Sequence, residues 1–472
     1  MALAPEDCAL LLCGTIVTSR LDRSLAVLED QLVAVDKSGF IAHFEPASSP
    51  ASSALLKDVE DGRVAPERFV ELGADGWLVP GFVDTHIHSP QYINTGMALD
   101  KPLMQWLEAY TFRAEARIDA DPNELGARVY ERLVQRMLEN GTTAASVFGT
   151  ISIEANLVLA RAFLDAGLRG QIGKVAMDQH SLPTYIETTA SSLSSTKEFI
   201  SRMRELVAKL PSHEQVVEPV VTPRFVPTCS LELLKNLADL AKAEDVRLQS
   251  HMCESQGMVD LCKEMLGGKS DVEVLNELGL LHGKSLMAHC THSSPSDLAL
   301  LSSTGTSISH CPLSNIYFSA EQPLPLREAV EAGVKVGLGS DISGGYRVGL
   351  DESMRWAVGV ARMREGQKKQ GIASNLAVTW QESLYFATLG GAQALGLDKE
   401  RKVGMLELGA AFDAQWIQVG GTGSRVDWFD LEEEDGGVRR VTTEEKLEKW
   451  WCNGSEADRR AVWVQGRKVY EQ

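Results

Sequence analysis

Two histidines one residue apart, His86 and His88, close the apolar run Pro80-Gly81-Phe82-Val83-Asp84-Thr85-His86-Ile87-His88. If that run is a strand, side chains at i and i+2 share a face, so both imidazoles point the same way, as two nitrogen ligands of one cation must. Alone, the pair could equally be two packed core histidines. Three further residues of ligand type end apolar runs: His251 after Arg-Leu-Gln-Ser, His289 after Ser-Leu-Met-Ala, and Asp341 after Val-Lys-Val-Gly-Leu-Gly-Ser. Four independent run ends that all offer imidazole or carboxylate make a metal site the expectation. His86, His88, His251 and Asp341 supply nitrogen and oxygen of the softness Zn²⁺ takes and leave a position open for water, with Fe²⁺ the second choice. His289 is then free to hydrogen-bond the reacting group and steady its developing charge. The run Val216 to Phe225 contains no lysine that could be carbamylated to bridge two metals, so one ion per chain is expected.

Glu254 stands three residues beyond His251, in His-Met-Cys-Glu, where the strand turns out. A carboxylate there that is not itself a ligand can take a proton from the attacking water and pass it on to a ring nitrogen. The other reading of Glu254 is a helix-capping acid beside Ser255. Asp341, next to the ion, can accept a proton or orient the nucleophile. Such a set attacks an amidine-like carbon and releases ammonia, with Glu254, His289 and Asp341 as the catalytic groups.

Residues so far apart must be gathered by repeated strand and helix units. The strand candidates are a short run from Trp77 to Val83, then Thr-Thr-Ala-Ala-Ser-Val-Phe, Gln-Ile-Gly-Lys-Val-Ala-Met, Val216 to Pro223, and the runs that end at His251, His289, His310 and Asp341. They number eight, and helical patterns such as 122–141 and 231–243 separate them, as a (β/α)8 TIM barrel requires. Ligand-type side chains at the C-terminal ends of such strands lie where these barrels place their chemistry. Before the barrel, Cys-Ala-Leu-Leu-Leu-Cys-Gly-Thr-Ile-Val, Gln-Leu-Val-Ala-Val-Asp and Gly-Phe-Ile-Ala-His-Phe read as sheet. So do Phe-Asp-Ala-Gln-Trp-Ile-Gln-Val and Ala-Val-Trp-Val-Gln-Gly-Arg-Lys-Val-Tyr after it. The expected division is a barrel over 79–399 and a small β-sandwich domain shared by 1–78 and 400–472. Residues 46–66, rich in Ala, Ser and Pro, are expected to form a surface loop, and the acidic run Asp430 to Asp435 a solvated one.

The chain has 472 residues, of which 44% are hydrophobic, enough for one large and one small domain. A formal charge of −19 argues against nucleic acid and anionic membrane surfaces as partners. Eight scattered cysteines without a Cys-x-x-Cys pair fit free thiols. The acidic start, with only a short apolar run after it, does not resemble a secretory signal, and a cytoplasmic location is expected. No Gly-x-Ser-x-Gly elbow and no Pro-Cys-x-x-Cys deaminase signature occurs.

With these residues placed, the chain resembles the guanine deaminases of the amidohydrolase superfamily over nearly its whole length. The resemblance is carried by PGFVDTHIHSPQY, WLEAYTFRAEAR, NGTTAASVFGT, GKVAMD, VTPRF, QSHMCES, MAHC, SISHCPLSN, GLGSDISGGY and ATLGGAQALGLD. It implies zinc at His86, His88, His251 and Asp341, proton transfer by Glu254 and assistance by His289. It further implies that Gln91 and Arg224 hydrogen-bond the polar edges of guanine while Leu103, Trp106 and Phe225 wall the flat ring, and that the enzyme is a homodimer. Ser89-Pro90, Cys253 and Ser340 depart from the usual pattern without touching the chemistry, and His310 is expected to be structural or to support a ligand. Two alternatives stand beside this reading. One is a deaminase or chlorohydrolase of the same superfamily acting on another purine, a pyrimidine or a triazine; the other is an inactive barrel serving as a scaffold or cytoskeletal binding protein.

Overall fold

The computed structural model describes residues 3–368, 375–433 and 437–472. Its first long apolar runs pair locally: β1 (Cys8–Ser19) and β2 (Leu25–Asp36) are antiparallel, and β3 (Ile41–Pro46) lies on the far side of β2. Residues 46–66 depart from the expected loop, because Pro50–Glu60 is an α-helix. Ser49 caps it by accepting from Ser52 N, Pro50 fills the first turn, and Leu55 is buried. Here the Ser and Pro are helix-starting chemistry, not loop chemistry. β4 (Phe69–Glu71) and β5 (Gly76–Pro80) then run parallel to β1.

The expected strand from Trp77 to Val83 is in fact two strands. β5 ends at Pro80, and β6 (Phe82–His88) opens a second sheet after the break at Gly81. A Cβ at Gly81 would fall 2.0 Å from Thr143 Oγ1, so the crossing between the two sheets is made where only glycine fits.

β6 is followed by β7 (Thr142–Phe148), β8 (Arg169–Ala176), β9 (Val217–Pro223), β10 (Arg247–Met252), β11 (Ser285–His289), β12 (Ser307–His310) and β13 (Val336–Leu338). The eight are parallel and paired in chain order. Just past β13 the ring closes on β6, where Asp341 N donates to His86 O and His88 N donates to Ile342 O, both at 2.9 Å. The fold is thus a (β/α)8 barrel. Helices with one apolar stripe cover it: in Leu231–Ala243, capped by Ser230, the buried residues Leu233, Leu234, Leu237, Ala238 and Ala241 recur at helical spacing.

The chain then returns to the first sheet. β14 (Ala414–Gln418) pairs antiparallel with β5, β15 (Leu431–Glu432) and β16 (Val438–Arg439) make a short exposed ribbon, and the hairpin β17 (Arg459–Val464) with β18 (Arg467–Glu471) extends β14. Glu434 and Asp435 of the acidic run lie outside the described residues. Both ends of the chain therefore build one further sheet, over a core that includes Leu12, Ile16, Val33, Leu78, Phe412 and Trp463. A buried Arg169–Asp413 pair, with Nε to Oδ2 and NH2 to Oδ1 both at 3.1 Å, ties that sheet to the barrel.

Candidate active site

Along β6 the buried residues Asp84, His86 and His88 alternate onto one face, while Ile87 on the other joins the core beneath the helices. His251 and His289 arrive at the ends of β10 and β11, and Asp341 three residues past β13. His289 and Asp341 sit at φ 71° and 48°, a left-handed backbone that turns each side chain at its strand end.

These residues converge closely. Asp341 Oδ1 lies 3.2 Å from His86 Nε2 and 3.6 Å from His88 Nε2, and His88 Nε2 is 3.0 Å from His251 Nε2. On the far side His289 Nε2 stands 3.9 Å from Asp341 Oδ2 and 3.6 Å from Glu254 Oε1. Burial pushes the pKa of His86, His88 and His251 well below the usual histidine value, so all three are neutral, the form in which imidazole binds a metal. His86 Nε2, His88 Nδ1 and His289 Nε2 are buried with no hydrogen-bond partner. Buried polar atoms are normally paired, so the unmatched Nε2 atoms of His86 and His289, which face the Asp341 carboxylate, fit a cation. Ligand atoms of His86, His88 and Asp341 lie within 4.8 Å of one another, as do those of His86, His251 and His289 and of His289, Cys311 and Asp341. His310 joins none of these groups and instead meets Asn315 Nδ2 at 3.4 Å.

Neighbouring groups orient the imidazoles. His251 Nδ1 meets Arg224 O at 2.6 Å and His289 Nδ1 meets Asn315 Oδ1 at 2.9 Å, so each Nδ1 carries the proton and each Nε2 keeps its lone pair. Asp84 accepts from His86 N, Ser340 N and Ser340 Oγ at 3.1, 3.0 and 2.6 Å, binding the first strand to the last. Burial pushes the Asp84 carboxyl up to about 7, against those bonds.

A pocket opens onto this cluster, lined in part by His88, His251, Asp341 and Glu254. Gln91, Leu103, Trp106, Arg224 and Phe225 all line it too. Glu254 is pushed up to about 8, first by burial and then by the Asp341 charge, with Arg224 opposing. Arg224 NH1 is already paired, with Glu115 Oε1 and Oε2 at 3.0 and 2.7 Å, and Gln91 Nε2 donates to Glu115 Oε1 at 2.9 Å. Sequence reasoning missed Glu115. It also missed Phe318, which lines the cavity with its ring centroid 5.3 Å from that of Trp106, and Asn315 behind His289. Phe318 and Asn315 follow the strand that ends at His310 on one short helix, Pro312–Phe318, and that position just past a barrel strand end was the available signal.

An imidazole and carboxylate cluster at the mouth of a closed parallel barrel, with a second sheet drawn from both chain ends, is the architecture of the amidohydrolases. A profile of the Amidohydrolase family matches residues 77–469, and the chain belongs to that family. Its curated relatives include the guanine deaminase of Homo sapiens, 36% identical over 97% of this chain and 95% of that one. The guanine deaminase of Dictyostelium discoideum is 34% identical over 97% of each. Among solved structures, a guanine deaminase from C. acetobutylicum with guanine bound in its active site superposes with a TM-score of 0.83 at 27% identity, covering 98% of this chain and all of that one.

Proposed function

We infer that the protein is a guanine deaminase, hydrolysing guanine to xanthine and ammonia. The observation that carries this reading is the meeting, in one cavity, of the histidine and aspartate cluster, Glu254, and the polar and apolar residues that would read a purine. His86, His88, His251 and Asp341 would hold one divalent ion, zinc by its liking for nitrogen with one oxygen, and the ion would supply Lewis-acid polarisation and make water nucleophilic near neutral pH.

The chain's own residues do the rest. Glu254, with a pKa pushed up to about 8, holds and releases a proton near neutrality, so it can take one from the attacking water and give it to a ring nitrogen. Asp341 orients that water. His289, with Nδ1 committed to Asn315, aims Nε2 at the space between Glu254 and Asp341, where it steadies the charge that develops as the carbon becomes tetrahedral. Arg224 donates to a ring carbonyl, and Gln91 meets a polar edge. Leu103, Trp106, Phe225 and Phe318 exclude water from the faces of the ring. The reading extends to a homodimeric, cytoplasmic enzyme; among the described residues no helix is long and apolar enough to cross a membrane.

Ammonia release by metal-replete protein from guanine, adenine, cytosine and 8-oxoguanine tests it, with Glu254→Gln as control. Guanine should be the preferred substrate and Glu254→Gln nearly inert. Release from another base but not from guanine would overturn the substrate, and no release from any, with no bound metal, would favour a binding protein.

A further inference from the structure

Glu115 is wholly buried, yet it is neither in the metal cluster nor on the cavity wall. Four donor contacts converge on its two oxygens: Gln91 Nε2 at 2.9 Å, Tyr185 OH at 2.9 Å, and Arg224 NH1 at 3.0 and 2.7 Å. The Arg224 guanidinium also lies 5.0 Å from the centroid of the Phe112 ring, on the same helix as Glu115. A carboxylate paired with an arginine accepts only. The Gln91 atom that faces it must therefore be the amide nitrogen, and the amide cannot flip without setting its oxygen against the Glu115 carboxylate. That leaves Oε1 as the Gln91 atom for a ligand, an acceptor that among the described residues meets only Ser343 N, at 3.4 Å. Arg224, held by NH1 alone, offers the ligand its remaining donors.

We propose that Glu115 is a positioning residue that fixes the hydrogen-bond polarity of the cavity, so that it accepts rings presenting an N–H to Gln91 and a carbonyl to Arg224. The proposal rests on the guanine deaminase reading and deepens it. Guanine carries a ring N–H beside its carbonyl. 2,6-Diaminopurine keeps the same amino group at the reacting carbon but replaces the carbonyl with a donor and the adjacent N–H with an acceptor. The polarity set by Glu115 rejects it by leaving buried polar groups facing like partners.

The test compares steady-state ammonia release from guanine and 2,6-diaminopurine by metal-replete wild type, Glu115→Gln and Tyr185→Phe. Glu115→Gln keeps the shape but offers both a donor and an acceptor, so the Gln91 amide can turn. The KM for guanine should rise at least about tenfold while kcat stays within about threefold, and the guanine preference, as a ratio of kcat/KM, should shrink by at least about tenfold. Tyr185→Phe removes one donor to Glu115 from outside the cavity, and its guanine preference should shrink by about threefold; it decides the matter if Glu115→Gln does not fold. An unchanged preference in the folded variants, or a loss confined to kcat and equal for both purines, overturns the proposal. Wild type that releases no ammonia from guanine overturns instead the functional reading beneath it.

Discussion

The two halves of the site are built differently. The half that gathers His86, His88, His251, His289 and Asp341 stands on strand ends or within three residues of one, positioned by a ring of backbone hydrogen bonds closed at Asp341 and Ile342. The half that would read the purine stands on connecting segments. Gln91 lies in a 3₁₀ turn, Leu103 and Trp106 in a one-turn helix, Phe225 just before another 3₁₀ turn, and Phe318 at the end of a short helix. Of its polar members, Arg224 follows β9 by one residue and keeps backbone bonds to the neighbouring strands, N to Ala176 O and O from His251 N, both at 3.2 Å, while the side chains of Arg224 and Gln91 are held by Glu115. The cluster of imidazoles and carboxylate is thus set into the frame, while the part that would select a substrate is pinned largely by a side-chain network around Glu115.

Breaking the first half should cost the most. His251→Ala removes one Nε2 from the cluster, and kcat/KM for guanine should fall on the order of 10⁴-fold or more, with loss of bound metal measured by elemental analysis. A variant that keeps both metal and rate would remove His251 from the ligand set. Glu254→Gln comes next. It should lower kcat by about 10²–10⁴-fold while metal content and KM hold, because only the proton path is cut. In the second half the same comparison predicts a different signature: Phe318→Ala opens one wall of the cavity, so KM should rise about tenfold with kcat nearly unchanged. A fall in kcat alone would show that the two halves are not separable.

The same division governs what could be read from sequence. His86 and His88 betray themselves because strand alternation puts i and i+2 on one face, and His251, His289 and Asp341 because each ends a buried run. The barrel is visible for the same reason. Glu115 is not, since Phe-Arg-Ala-Glu-Ala-Arg has the texture of a half-solvated helix and its partners Gln91, Tyr185 and Arg224 lie 24, 70 and 109 residues away. No local period reports a pairing of that length. The helix at Pro50–Glu60 was hidden by composition, where small polar residues that cap and start a helix look like those of a loop. The break at Gly81 was hidden by continuity of apolar character, because both sheets bury the run that crosses between them.

The smallest expected effect lies one turn behind the network. Asp119 shares the Phe112–Ala120 helix with Glu115, and both its carboxylate oxygens are buried. Burial pushes it up to about 7, with a further rise from the Glu115 charge, while Thr150 and Lys174 pull the other way; Tyr130 also feels it. In the unfolded chain the group titrates near 3.9. The folded form therefore binds more protons between these two values, and this residue's contribution to stability falls as pH rises from about 4 to about 7 and stays lost above. Asp119→Asn mimics the protonated carboxyl, so its melting-temperature advantage over wild type should be about 2 °C larger at pH 8 than at pH 5, as calorimetry of the metal-replete protein would record. KM for guanine should not move, because Asp119 does not line the cavity. A melting difference equal at both pH values would mean that the carboxyl is not held neutral by its surroundings. A change in KM would mean that the charge behind Glu115 reaches the recognition half after all, and the pinning network would then have to include it.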